Sequence, residues 1–292
     1  MTLGHFASVA LGILLDGLAY GMILFIISVG LSVTMGLMGF VNLAHGAFAM
    51  AGGYVTVSLM SGMGVPFELA LAGAFVLVGA ASVLFERLLY ARLYRAGELD
   101  QVLFTIGLVF MAIAAFTYVY GPAPKPIQVP HYLTGSVDLG FRTFAAYRVF
   151  MVALGAVMVA VLWYGVERTG LGAKVRAAVD NRRMAQSVGI DVDRLFTLTF
   201  ALGSGLAALG GGLAVNLVGL TPTFAIQYLV FFLIVVAVGG LGSIKGAAVA
   251  AIVLGITDNA GKYLYPDGGA FFIYAATIAL LLAKPAGLYG RD

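Results

Sequence analysis

Apolar residues in this chain come in long blocks with short polar stretches between them. The blocks run over residues 6–35, 47–59, 68–85, 99–120, 147–166, 195–217, 228–256 and 271–283. A helix that crosses a bilayer needs roughly 20 mainly apolar residues, and the blocks supply about eight such lengths, depending on how the interrupted ones are counted. The pattern therefore predicts an all-α, polytopic membrane bundle of about eight spans, arranged as a single transmembrane domain over residues 1–292. The block at 6–35 is too long for the apolar core of a signal peptide and has no basic region before it, so it is expected to stay in the membrane.

Two blocks are interrupted by glycine. Gly36, Gly39 and Gly46 break the course into the second block, together with Asn42 and His45, and Gly239, Gly240, Gly242 and Gly246 break the block at 228–256 around Ser243 and Lys245. Glycine costs roughly 1 kcal/mol relative to alanine inside a helix, so both stretches are expected to be helix interruptions. Irregular backbone at membrane depth must be satisfied by protein or line a wet cavity. Asn42, His45 and Ser243 are accordingly candidates for lining a solute pathway or for bracing the broken backbone. The two breaks echo each other, as Gly39, Gly46, Ala47 and Ala51 recur in Gly239, Gly246, Ala247 and Ala251, and paired interrupted segments are a pointer to a transport site.

The longest polar segment, 168–194, carries six of the 16 basic residues: Arg168, Lys174, Arg176, Arg182, Arg183 and Arg194. Arg87, Arg92 and Arg95 follow the 68–85 block, whereas the loop at 121–148 holds only Lys125, Arg142 and Arg148. Basic residues in short loops stay in the cytoplasm. This places 87–98 and 168–194 inside, the loop at 121–148 outside and the amino terminus outside. The tail from Lys284 to Arg291 falls inside if the 228–256 segment crosses twice or re-enters, and outside if it crosses once. Residues 173–188 contain no Pro or Gly, and Gly189 follows. A short surface helix is predicted there, with Val175, Val179, Met184 and Val188 in need of a partner. Prolines at 122, 124, 126 and 130 make the start of the outer loop extended. The block at 195–217 carries Gly203, Ala207 and Gly211 four apart, a spacing for close helix packing in lipid.

Composition agrees with the pattern: 62% of residues are hydrophobic and 10% charged, with a mean hydropathy of +1.04, against about a quarter charged in a soluble domain. The basic balance sits in loops beside spans, where it reports topology and not nucleic-acid binding. The absence of cysteine excludes disulfides and thiolate chemistry. No His, Asp or Glu group has metal spacing, no nucleophile stands beside a base in a motif, and no phosphate-binding loop ends in Lys-Ser or Lys-Thr. These observations argue against a membrane enzyme and give the chain no cofactor-binding motif, which leaves transport of a small solute as the reading of the paired breaks. An ion-coupled secondary transporter or channel for a small solute is the alternative, and it depends on ionisable residues at depth, of which Asp16, His45, Lys245 and Asp258 are the ones present.

Three stretches together resemble the permease subunits of bacterial ATP-binding-cassette importers for branched-chain and other hydrophobic amino acids. They are Gly39-Phe-Val-Asn-Leu-Ala-His-Gly46 running on to Met50-Ala-Gly-Gly-Tyr54; Gly170-Leu-Gly-Ala-Lys-Val-Arg-Ala177 with Asn181, Ala185 and Gly189-Ile190; and Gly239-Gly-Leu-Gly-Ser-Ile-Lys-Gly246 with the tail Pro285-Ala-Gly-Leu-Tyr-Gly290. The resemblance implies a type II importer permease-like fold in the bacterial cytoplasmic (inner) membrane. It also implies a second related permease, two cytoplasmic ATP-binding subunits that hold the ATP and Mg, and a periplasmic or extracellular substrate-binding protein. The loop at 168–194 becomes the coupling element, with Arg176, Val179, Asn181, Met184, Ala185 and Gly189 as its residues. Ala47, where an acid is frequent, and Lys284, where an arginine is usual, depart from the family pattern and bear on the choice of substrate. The passage is expected between the two permeases, with apolar walls, with Asn42, Thr105 and Asn216 as polar contacts, and without a buried ion pair that grips the substrate.

Overall fold

The computed structural model describes residues 3–94, 96–127, 129–138, 140 and 143–290. Arg95, Arg142 and Arg291 of the charge argument lie outside the described residues. The first block forms one unbroken helix, α1 (Leu3–Met38), of 36 residues. At 1.5 Å per residue it is about 54 Å long, more than the ~30 Å hydrocarbon layer. After the first glycine break come α2 (His45–Met63) and α3 (Phe67–Leu88), then a 3-10 turn at Tyr90–Leu93 and α4 (Glu98–Tyr120). The outer loop starts extended and then forms a single turn, α5 (His131–Thr134), and a hairpin of β1 (Ser136–Asp138) and β2 (Thr143–Ala145) with Val137 opposite Phe144. This hairpin is the small exception to the otherwise helical architecture among the described residues.

The chain returns through α6 (Ala146–Arg168) to α7 (Gly170–Asp180) and α8 (Arg182–Ser187), then crosses in α9 (Val192–Val218). A short α10 (Phe224–Gln227) leads into α11 (Leu229–Gly239), and α12 (Ile244–Leu264) and α13 (Ala270–Ala283) complete the bundle. Six helices, α1, α3, α4, α6, α9 and α12, are long and apolar enough to cross a membrane; α10–α11 and α13 are shorter apolar segments.

Packing is organised by small residues. α9 lies at the centre, where a Cβ on Gly211 would sit 1.8 Å from the Ala49 carbonyl oxygen of α2 and one on Gly30 of α1 would sit 2.4 Å from that of Gly203. Backbone therefore touches backbone, and larger side chains on α1, such as Phe25, Ile26 and Leu31, fill the spaces beside these crossings and are fully buried. Gly17 and Gly21 of α1 meet Ile256 and Ala251 of α12 in the same way. Few residues of α4 and α6 are buried, so these helices form the rim of the bundle. Tyr147 at the start of α6 is tied inward, its hydroxyl donating to the Leu213 carbonyl at 2.7 Å.

One expectation is corrected. Residues 173–188 do not form one helix, because Asn181 adopts an extended backbone (φ −152°, ψ 98°) and its side chain accepts from the Met184 N–H, starting a second helix. A local cap thus outweighs helix propensity summed along the stretch. Asp16, one of the ionisable residues in the apolar blocks, is paired with Arg148 at the start of α6.

Candidate functional site

Both glycine breaks are present. α1 ends where Gly39 takes a left-handed conformation (φ +59°), and the loop that follows lies beside the first two turns of α4. Its N–H groups have no helix to serve, and side chains from α4 serve them instead. Val41 donates to Gln101 Oε1 at 3.2 Å and Leu43 to Thr105 Oγ1 at 3.3 Å. Asn42 Oδ1 accepts from the Ala44 N–H and from the Tyr90 hydroxyl, each at 3.1 Å. His45 opens α2, and its Nε2–H donates to the Ile27 carbonyl at 2.9 Å. Thr105 lies about 10 Å along α4 from Glu98 at 1.5 Å per residue, so the loop sits inside the span, where every polar group needs a protein partner. Asn42, His45 and Thr105 are all buried, and Asn42 Nδ2 has no hydrogen-bond partner.

The second break follows α11, with Gly240 at φ +92° and Gly242 at φ +76°. The Gly242 N–H donates to the Ser32 carbonyl at 3.0 Å, and the tail packs alongside, Leu288 N–H donating to Val238 O at 2.7 Å. Ser243 caps α12 by accepting from the Gly246 N–H at 3.0 Å. Lys245 Nζ lies 3.7 Å from Glu167 at the end of α6 and 5.3 Å from the Trp163 ring centre. The tail, this break and the α6 end therefore share one side of the bundle with α7, which places the tail on the side of the basic loops. Of the five pathway candidates, Asn42, His45 and Thr105 gather at the first break, Ser243 stands at the second, and Asn216 is exposed near the end of α9.

On the basic side, α7 and α8 make a two-helix element. Thr169 Oγ1 accepts from the Gly172 N–H to cap α7, and the Arg176 guanidinium donates to the Val166 carbonyl of α6. Ala178 and Ala185 are buried in a small cluster with Val192, Leu195 and Phe196. Asn181 Oδ1 caps α8 at 3.0 Å, and Gly189 (φ +86°) ends it. Arg176, Asn181, Ala185 and Gly189 thus shape and anchor the element, and among its exposed charged and polar side chains it also presents three apolar ones: Val179 is 40% exposed, Met184 61% and Val188 70%. Beside it, Glu86 accepts from the Tyr94 and Thr197 hydroxyls. Burial, reinforced by that hydrogen bond, pushes the Tyr94 hydroxyl well above its ordinary range, so it remains a donor.

The model of the family described as branched-chain amino acid transport system permease components matches residues 13–281. The chain belongs to this family. It is 27% identical to the high-affinity branched-chain amino acid transport system permease protein LivH of Escherichia coli K12, the match covering 94% of each chain. It is 26% identical to the corresponding protein BraD of Pseudomonas aeruginosa PAO1, over 95% of each. Among solved structures, PsaBC from Streptococcus pneumoniae in complex with Fab has a similar fold, with a TM-score of 0.51 at 16% identity, covering 92% of this chain and 89% of that one. This permease is a multi-pass membrane transport subunit. Gln101, which braces the first break, escaped the sequence reading because it is 60 residues from the loop it serves. The Asp258–Lys262 pair was readable from its i, i+4 spacing.

Proposed function

We propose that this chain is one permease of an ATP-driven importer of branched-chain amino acids in the bacterial cytoplasmic membrane. Its partners are a second related permease, two ATP-binding subunits that hold and hydrolyse the nucleotide with Mg, and a binding protein that delivers substrate from outside. The observation that carries the reading is the exposure of Val179, Met184 and Val188 on and just after α7–α8, on the basic side of a permease-family chain. Exposed apolar side chains interspersed with arginine and lysine suit a protein cleft better than water. α7 reaches the membrane helices through Arg176 to α6, and α6 reaches the second break through Glu167 and Lys245. Movement of the ATPases is thereby passed to the α11–α12 junction, where two left-handed glycines form the link. The substrate passes at the interface of the two permeases along small and apolar walls, with Asn42, His45, Thr105 and Ser243 holding the broken backbone beside it and Asn216 at the outer end.

An ion-coupled carrier is less well supported. Asp16 pairs with Arg148, Asp258 with Lys262, Lys245 with Glu167, and His45 with a carbonyl. None of the four offers a free ionisable group in the way a coupling site does. The test is reconstitution in liposomes with the ATP-binding subunits and the binding protein. Uptake of leucine, isoleucine and valine that requires ATP inside is the expected result. Uptake by the permeases alone, driven by a proton or sodium gradient, overturns the proposal.

A further inference from the structure

At the outer end of the bundle a cleft of about 330 Å³ opens between α1, the start of α6, the end of α9, the α10–α11 junction and α12. Its size is at the lower end of the roughly 300–1,000 Å³ typical of small-ligand sites. Two carboxylates and two cations line it: Asp16, Arg148, Asp258 and Lys262, with Leu217 and Phe231 as apolar wall. Asp16 is paired with Arg148, and Asp258 Oδ2 accepts from Lys262 Nζ at 2.6 Å. The charges differ in exposure. The Lys262 side chain is 52% exposed and that of Arg148 41%, whereas Asp258 is only 3% exposed. Asp258 Oδ1 has no hydrogen-bond partner. A buried carboxylate oxygen without a donor is an incomplete polar group, and Asp258 is one of the residues that line this cleft.

We infer that this cleft reads the zwitterionic head of the amino acid as it enters the permease, an assignment that rests on the function proposed above. The α-ammonium, with three N–H donors, lies against the Asp258 and Asp16 carboxylates, and a small shift of the Asp258 side chain brings its unpartnered Oδ1 to it as an acceptor. The α-carboxylate lies against the exposed Lys262 and Arg148. Leu217 and Phe231 receive the apolar side chain. The arrangement selects for paired opposite charges on a small apolar body, and its partial exposure keeps the hold loose enough for onward passage. This departs from the expectation that no ion pair engages the substrate, and places the engagement at the entrance instead of midway. An ethanolamine lipid headgroup offers the same pairing of ammonium and anion, and the assay separates the two sources.

The test measures ATP-driven uptake of labelled leucine by the complete importer, normalised to co-purified complex, in liposomes made with and without phosphatidylethanolamine. Asp258→Asn keeps the shape and removes the charge, and uptake is expected to fall at least tenfold in both lipids. The double variant Asp258→Asn with Lys262→Gln removes the orphan lysine charge, so a purely structural ion pair recovers activity there, whereas a reading site does not. Recovery in the double variant, uptake like wild type in the single one, or an effect seen only with phosphatidylethanolamine overturns the inference. If the unaltered importer takes up no neutral amino acid, the functional proposal itself fails; if it transports and the variants are indifferent, only this site fails.

Discussion

Replacing Asn42 with leucine separates the role of this residue as a brace from its contribution to packing volume. Its Oδ1 accepts from the Ala44 N–H and the Tyr90 hydroxyl, each at 3.1 Å, and both donors are buried where no water reaches them. Each orphaned buried donor costs about 1–3 kcal/mol, so the two together cost about 2–6 kcal/mol by the same estimate. Removing Nδ2, which has no partner in the native protein, returns part of that, leaving a net loss of about 1–3 kcal/mol. The decisive measurement is a double-mutant cycle with Tyr90→Phe, read as unfolding stability of the purified permease in one mild detergent. In the native background Tyr90→Phe breaks a hydrogen bond and destabilises by about 1 kcal/mol. In the Asn42→Leu background it removes an orphan hydroxyl, and the protein becomes more stable by a similar amount. The change of sign is the prediction. The same sign in both backgrounds refutes the bracing argument.

Three further outcomes follow from the geometry. Met184→Asp leaves the isolated permease folded, since the side chain is 61% exposed, but abolishes substrate-stimulated ATP hydrolysis in the assembled importer; normal stimulation counts against α8 as a docking element. Asn181→Ala removes the α8 cap, for about 1 kcal/mol, and weakens ATPase-subunit binding roughly fivefold by that energy, measurable by titration of the subunits onto the permeases. Gly211→Leu places a Cβ 1.8 Å from the Ala49 carbonyl oxygen, forces α2 and α9 apart and costs at least the ~1–3 kcal/mol of an overpacked core; monodisperse protein of native thermal stability contradicts the central position of α9.

What the sequence made legible differs from element to element for physical reasons. The breaks at Gly39 and Gly240 could be read because they require a backbone that glycine adopts freely and other residues resist. The break at Asn181 was hidden, since its cause is one side chain capping the next helix and the residues that follow, Arg182 to Gln186, are good helix formers. The partners of the first break were out of reach for another reason: Gln101 and Thr105 meet the loop some sixty residues away in sequence, and no local pattern encodes that meeting. The same holds for Asp16 and Arg148. The deepest ambiguity lies in the apolar blocks. In water a helix shows its inner face by being apolar there and polar elsewhere. In lipid both sides are apolar, so hydropathy cannot say that α9 is central and α4 is at the rim. Side-chain size can. α9 carries glycine, alanine and serine where it crosses α1 and α2, whereas α4 carries bulky Leu103, Phe110 and Met111 on its exposed surface. Close approach of backbones is what binds helices to each other when the surroundings are as apolar as the core, and small residues permit that approach.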